Sequence, residues 1–139
     1  MKTRLVLILS IISIVTTSDT CKKNRPDCHV SYTINNNSGN AVYFIVNKDS
    51  GLNLLSYPPG ASASTYKCEA NSQKSHFYRG CYEYIINTSS TKMLYIFIFD
   101  AKIIETVPWD TVKKNYMLLK RYDMTKAQLD SINWKINYP

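Results

Sequence analysis

The chain has 139 residues, a formal net charge of +7 at pH 7 and a hydrophobic fraction of 45%. This length suits one domain with a single modest core. The basic residues are scattered along the chain and are not gathered on one predicted helix or face, which argues against a nucleic-acid partner. A soluble basic surface explains the charge.

Residues 1–18 have the pattern of a secretory signal peptide. Lys2 and Arg4 precede an apolar run of 11 residues at 5–15, and small polar residues follow at 16–18. A helix that crosses a bilayer needs about 20 apolar residues. The run therefore predicts export with a signal peptide and no permanent transmembrane anchor.

Residues 19–27 form a charged, proline-containing tether, and two ways of processing it stay open. Cleavage after Ser18 leaves an unmodified N-terminus. Cleavage before Cys21 exposes a cysteine that receives lipid, as in bacterial lipoproteins, although Asp19 departs from the small residues that such sites prefer. The first route gives a secreted or periplasmic protein and the second a lipid-anchored one.

The four cysteines are Cys21, Cys28, Cys68 and Cys81. Export permits disulfides. Cys68 and Cys81 are 13 positions apart and flank a polar segment, so we predict a disulfide between them, with a stabilising effect of about 3 kcal/mol in the chain-entropy model. Cys28 then pairs with Cys21 in a soluble form or stays unpaired when Cys21 is lipidated.

Residues 28–139 are predicted to form one β-rich domain. Apolar and polar residues alternate at 29–34, as in a half-buried strand. The cluster of Asn, Ser and Gly at 35–40 predicts a turn, and 41–46 predicts a second strand. We expect the two strands to pair as an antiparallel hairpin.

The middle of the chain predicts shorter elements. Two prolines and a glycine at 58–60 interrupt any sheet, because proline cannot donate a backbone hydrogen bond. Around this break we predict a short strand at 52–57, an edge strand at 62–68, a loop at 69–80 and a strand at 82–86.

Residues 93–99 are the most apolar segment after the signal peptide. Both faces of an extended segment here are apolar. Such a strand is typical of the centre of a sheet that is covered on both sides.

Residues 108–138 predict helices as well as strands. Residues 108–114 suit a short helix with Pro108 in its first turn, and 116–122 returns to extended structure. Thr125 and Gln128 have the spacing of a capping box that starts a two-turn helix. Alternating Trp, Ile and Tyr residues at 134–138 predict a last strand.

These elements predict the fold class. Six or seven short strands with two short helices near the C-terminus indicate a mainly β protein and a single β-sandwich. An immunoglobulin-like arrangement is one variant of this sandwich. An α+β layer is the alternative.

The end of the chain resembles a known group of proteins. Residues 118–125 read LLKRYDMT, Leu129 follows, and residues 132–139 read INWKINYP. This ending is similar to that of small Bacteroidetes cell-envelope proteins, which finish with a KRYDLT…L…LNW.I.YP pattern. The resemblance covers about 22 residues. It implies location in the envelope and lipid attachment at Cys21, and it implies no activity and no catalytic residues.

The residue patterns do not indicate a catalytic or metal site. His29 and His76 could each act beside a cysteine, but no nucleophile motif surrounds them. A zinc site from Cys68, His76 and Cys81, with Cys28 as a fourth ligand, lacks the usual spacing, and export favours oxidation of the thiols. Glycine-rich phosphate loops and serine nucleophile elbows are absent from the sequence. We therefore expect no enzyme, metal or cofactor.

Aromatic residues are the stronger functional signal. The chain has 11 Tyr, 2 Trp and 4 Phe. Many of them alternate in strands and should fill the core, whereas a second set lies in or beside predicted loops and edges: Tyr57, Tyr66, Tyr78, Tyr82 and Tyr84. We expect a non-catalytic domain of the cell envelope, in the outer membrane or periplasm, that is tethered by lipid at Cys21 and binds or assembles with another protein. The alternative is a glycan-binding module that uses exposed Tyr and Trp.

Overall fold

The computed structural model describes residues 27–55 and 65–139. The predicted signal peptide, Cys21 and the prolines at 58–60 lie outside this part of the chain. The described part is mainly β, as expected. Its strands are β1 (Ser31–Asn36), β2 (Val42–Asn47), β3 (Lys67–Cys68), β4 (Ser72–Phe77), β5 (Met93–Asp100), β6 (Lys120–Thr125) and β7 (Lys135–Tyr138). Its helices are α1 (Tyr82–Thr88), α2 (Ala101–Thr106), α3 (Trp109–Lys114) and α4 (Lys126–Ser131).

The strands form two sheets. The three-stranded sheet has the order β4-β1-β7, with β1 antiparallel to β4 and parallel to β7. The four-stranded sheet has the order β3-β2-β5-β6 and is antiparallel throughout. In an immunoglobulin constant-type domain the first two strands are neighbours. The immunoglobulin-like variant is therefore wrong, because β1 pairs with β4 and β7.

The core has two layers, and the four-stranded sheet lies between them. One face of this sheet and the inner face of the three-stranded sheet share a buried cluster that includes Tyr32, Ile34, Phe44, Ile96, Ile98 and Ile136. Its other face packs against α2 and α3 through Tyr43, Phe97, Phe99, Ile104 and Val112. This arrangement confirms the central position of β5, since six of its eight residues are buried.

The predicted hairpin of the first two strands is wrong, because β1 and β2 belong to different sheets. The turn between them is a corner built around Asn36, which is fully buried. Its side-chain amide donates to the backbone oxygens of Asn40 (2.8 Å), Cys68 (3.3 Å) and Glu69 (2.9 Å), and its Oδ1 accepts from the backbone N–H and the hydroxyl of Ser38. These bonds satisfy the polar groups that the chain buries as it crosses from one sheet to the other.

The segment 82–86, predicted as a strand, is the helix α1. Tyr82 and Ile86 are both buried and lie four positions apart, so they share one helical face, whereas Tyr84 is exposed. A strand would have placed Tyr82, Tyr84 and Ile86 on the same side. Short apolar runs are ambiguous between the two structures when only periodicity is used.

Three further predictions for the middle of the chain need correction. The strand expected at 52–57 is a short 3₁₀ helix at Leu52–Leu54 within its described part. The edge strand at 62–68 is reduced, in its described part, to β3. The loop at 69–80 contains β4, an edge strand whose residues are mostly polar because one of its faces meets solvent.

The C-terminal predictions are largely confirmed. α3 follows Pro108, the capping box of Thr125 and Gln128 starts α4, and β7 ends the chain. The structure adds α2, which was not predicted and which begins where the Asp100 side chain accepts a hydrogen bond from the backbone N–H of Ile103. The extended segment expected at 116–122 becomes a strand only at Lys120, where β6 begins.

Candidate functional site

An open groove lies where the chain enters β1 and α1 begins. Its volume is about 470 Å³. We call it the aromatic groove, and its lining residues are Asp27, Cys28, Tyr78, Gly80, Cys81, Glu83, Tyr84 and Asn87. The side chains of Tyr78 and Tyr84 are 40% and 67% exposed. The groove therefore combines exposed aromatic rings with two carboxylates and an amide.

A disulfide between Cys28 and Cys81 lines this groove, with the two Cα atoms 5.1 Å apart. The predicted pair Cys68–Cys81 is wrong. Cys68 is a free, buried cysteine whose Sγ lies 3.8 Å from the backbone oxygen of Ile34. The reason is β4, a six-residue strand between the two cysteines, which carries the chain about 20 Å away from Cys68 before it reaches Cys81.

Next to the disulfide, His29 and Glu83 form a close pair. Nδ1 of His29 lies 2.5 Å from Oε1 of Glu83, and the backbone N–H of His29 donates to Oε2 at 2.9 Å. The Glu83 side chain is only 9% exposed. Both of its oxygens are thus engaged by one residue, and the backbone N–H of Tyr82 donates back to the His29 oxygen at 2.9 Å.

Trp134 supports this pair from the other end of the chain. The imidazole of His29 stacks on the indole ring, with the centroids 4.4 Å apart and the planes 16° from parallel. The indole N–H donates to Asp130 at 3.0 Å. A hydrogen bond from Lys126 and this bond from Trp134 lower the pKa of Asp130.

The C-terminal pattern therefore has a structural explanation. Asn133 and Trp134 adopt positive φ angles of 50° and 57°, which turn the chain from α4 into β7. The hydroxyl of Tyr122 donates to the backbone oxygen of Asn137 at 2.7 Å, and this bond links β6 to β7. These residues hold the end of the chain in place. The spacing of the residues in the C-terminal pattern does not predict this structural role.

His76 lies away from the groove, in a buried aromatic cluster. Its Nδ1 is 2.7 Å from the hydroxyl oxygen of Tyr82, and its ring packs against Tyr32, Phe44 and Tyr66. Burial lowers the pKa of His76 and raises the pKa of Tyr82. Burial thus favours the neutral form of His76, which is half-buried beside the core.

The five tyrosines that the sequence places in or beside loops and edges lie in different environments. Tyr78 and Tyr84 lie at the aromatic groove, Tyr66 and Tyr82 pack against the core, and Tyr57 lies outside the described residues. Phe77 and Val30, which the sequence did not single out, are 72% and 38% exposed. Both belong to the same end of the molecule, because the backbone N–H of Tyr78 donates to the oxygen of Val30.

The four candidate zinc ligands of the sequence do not form one group, because Cys28 and Cys81 are joined by the disulfide, whereas Cys68 and His76 lie elsewhere. Within residues 27–55 and 65–139, one group of three metal-type ligands has donor atoms within 4.8 Å of one another: Cys28, Cys81 and Glu83. Cys68 and His76 are not part of it. Glu83 was missed because a single buried carboxylate in an apolar segment has no recognisable sequence pattern.

Comparison of the chain with protein-family models, with curated proteins and with solved structures yields no match. None of the helices formed by the described residues is long and apolar enough to span a bilayer.

Proposed function

We propose that the chain is an exported protein of the cell envelope whose domain has no catalytic role and binds another protein through the aromatic groove and its rim. One observation carries this proposal. Four of the seven exposed large hydrophobic side chains among the described residues lie at this end of the molecule: Val30, Phe77, Tyr78 and Tyr84. Aromatic residues are enriched at protein interfaces and supply much of their binding energy.

We also propose that the two sheets form a β-sandwich. The cluster that β1 and β7 share with β2 and β5 supports this architecture. Both edges are bridged by hydrogen bonds, from Asn36 to Cys68 at one edge and from Tyr122 to Asn137 at the other. Such a scaffold is rigid and leaves its loop ends available for recognition.

Lipid attachment at Cys21 is the third part of the proposal. Cys28 and Cys81 are joined by a disulfide, and Cys68 is buried. These three cysteines are therefore not available to pair with Cys21, and this supports attachment of the lipid at Cys21. Cys21 precedes Asp27 by six positions, and six extended residues reach at most about 20 Å. The lipid would therefore keep the aromatic groove near the membrane surface.

The mass of the mature protein from native membranes tests the lipid anchor. A chain that starts at Cys21 and carries fatty acyl groups is the expected result. An unlipidated chain that starts at Asp19 would rule out the anchor and leave a secreted or periplasmic binding protein.

Affinity measurements test the binding face. An envelope partner identified by crosslinking should bind the purified domain, and Tyr84→Ala should weaken this binding at least tenfold because it removes an exposed ring from the groove. Tyr116→Ala is the matched control, since Tyr116 is 55% exposed but does not line the groove. Equal affinities for the wild type and the Tyr84→Ala variant would refute the proposal.

A glycan-binding module is the second candidate, and the groove lining favours it. Tyr78 and Tyr84 offer flat rings beside the polar side chains of Asp27, Glu83 and Asn87, and this combination suits sugar rings and their hydroxyl groups. Saturable binding on a glycan array that is lost in Tyr84→Ala and kept in Tyr116→Ala would favour this candidate. The absence of binding to any glycan on the array would exclude those glycans as ligands.

A further inference from the structure

The floor of the aromatic groove holds ligands of the kind that bind zinc. The Sγ atoms of Cys28 and Cys81 and a carboxylate oxygen of Glu83 all lie within 4.8 Å of one another. Zinc–sulfur and zinc–oxygen distances of about 2.3 and 2.1 Å place neighbouring ligands of a tetrahedral site roughly 3.3–3.8 Å apart. Once the disulfide is reduced, side-chain rotations would have to bring the two sulfur atoms and the Glu83 oxygen to these distances.

His29 lies beside this group, which does not include its ring nitrogens at their observed positions. Its Nδ1 lies 2.5 Å from Oε1 of Glu83, and its ring is held in place by stacking on Trp134. A buried carboxylate and an imidazole that already face each other can turn toward a common cation with little loss of side-chain freedom. Binding of a protein at the rim of the groove does not require this pair of a buried carboxylate and an imidazole.

We propose that reduction of the Cys28–Cys81 disulfide opens a binding site for one Zn²⁺ ion, with Cys28, Cys81, Glu83 and His29 as ligands. In the oxidised form the sulfur atoms are bonded to each other, and the site is closed. Two thiolates and an imidazole select zinc over the hard cations Ca²⁺ and Mg²⁺. This inference does not depend on the proposed protein partner.

The chemistry balances with a dithiol as the reductant. The dithiol gives two electrons and two protons to the protein disulfide, which becomes two thiols, while the dithiol itself becomes a disulfide. Binding of Zn²⁺ then releases the two thiol protons to solvent. Both cysteines are partly exposed and line an open groove, so a reductant can reach them.

Metal titration of the oxidised and reduced protein tests the proposal. The mature chain with Cys21→Ser, which removes a competing thiol, is reduced with a phosphine and titrated with Co²⁺ and Zn²⁺. We expect the reduced form to bind one equivalent of Co²⁺ with thiolate charge-transfer absorption, and Zn²⁺ to displace it. The oxidised form should bind at least 100-fold more weakly.

Two variants separate this site from nonspecific thiol binding. Glu83→Gln keeps the shape of the side chain but removes the charge, and it should weaken Zn²⁺ binding at least tenfold. Cys68→Ala is the matched control and should bind as the wild type does, because Cys68 belongs to the core. Unchanged affinity in Glu83→Gln, or equal binding by the oxidised protein, would overturn the proposal.

If reduction of the disulfide destabilises the fold, thermal unfolding provides a second test of Zn²⁺ binding. Zn²⁺ should raise the melting temperature of the reduced wild type and leave that of a Cys28→Ser, Cys81→Ser double variant unchanged. A reduced wild type that gains no thermal stability from Zn²⁺ would also contradict the proposed site.

Discussion

Asn36 shows how one buried polar side chain can determine the path of the chain. Its amide and carbonyl groups together make five hydrogen bonds, all to residues 38–40 and 68–69. The partners lie in the corner that leads to β2 and in the segment of β3. A shorter apolar side chain here would leave several buried polar groups without partners.

We therefore expect Asn36→Ala to lower the free energy of unfolding by about 3 kcal/mol, measured by urea denaturation. Asn37→Ala is the control, since Asn37 is exposed and its backbone N–H donates to the oxygen of Tyr138, a bond that alanine keeps. Equal stabilities of the two variants would show that the buried amide does not hold the corner.

His76 makes the stability depend on pH. Its pKa lies below the ordinary value of 6.5 because it is buried. Well above pH 6.5 His76 is neutral in both the folded and the unfolded chain, and its contribution is constant. As the pH falls, the unfolded chain binds the proton more readily, so the free energy of unfolding decreases until the folded pKa is passed.

The corresponding measurement compares urea midpoints near pH 7.5 and near pH 5. The midpoint of the wild type should fall at the lower pH, and the fall should be smaller in His76→Gln, which retains a polar partner for Tyr82. An identical pH response in both proteins would show that another group causes it.

At the scale of the elements, local patterns identify some segments reliably and others not. The capping box of α4 and the doubly apolar strand β5 are recognisable because their signals lie within a few neighbouring residues. The helix α1 is not, because its segment can present apolar residues at either helical or strand spacing. Packing against the core selects the helix by burying Tyr82 and Ile86 together.

The disulfide connects two elements that are distant in sequence. Cys28 and Cys81 are separated by 53 positions, and a closed loop of this length corresponds to about 4 kcal/mol in the chain-entropy model. We expect the double variant Cys28→Ser, Cys81→Ser to lose about this much free energy of unfolding. Reduced wild type should match the variant, and a loss well below 1 kcal/mol would contradict the estimate.

At the scale of the whole molecule, the pairing of the cysteines follows from the course of the chain. Peptide mapping without reduction should yield a Cys28–Cys81 peptide. Cys68 should react with an alkylating reagent only after denaturant is added, because it is buried in the native protein. Rapid labelling of Cys68 in the native state, or a Cys68–Cys81 peptide, would contradict the fold described here.

The candidate site was only partly predictable. Tyr78 and Tyr84 were singled out because tyrosines beside loops suit contact surfaces, but Tyr66 and Tyr82 have the same sequence context and lie in the core. The pair of His29 and Glu83 joins residues 54 positions apart. Neither residue has a local pattern that indicates the other.

The sequence by itself determined the mainly β class, the position of the central strand, the helices α3 and α4 and the place where the chain leaves β1. Each depends on residues within one turn or one strand, so the local hydrophobic and capping pattern is sufficient. Only the tertiary structure decided the partners of β1, the disulfide, the helix α1 and the aromatic groove. These depend on contacts between distant segments that compete for the same core, and the outcome of that competition follows from packing in three dimensions.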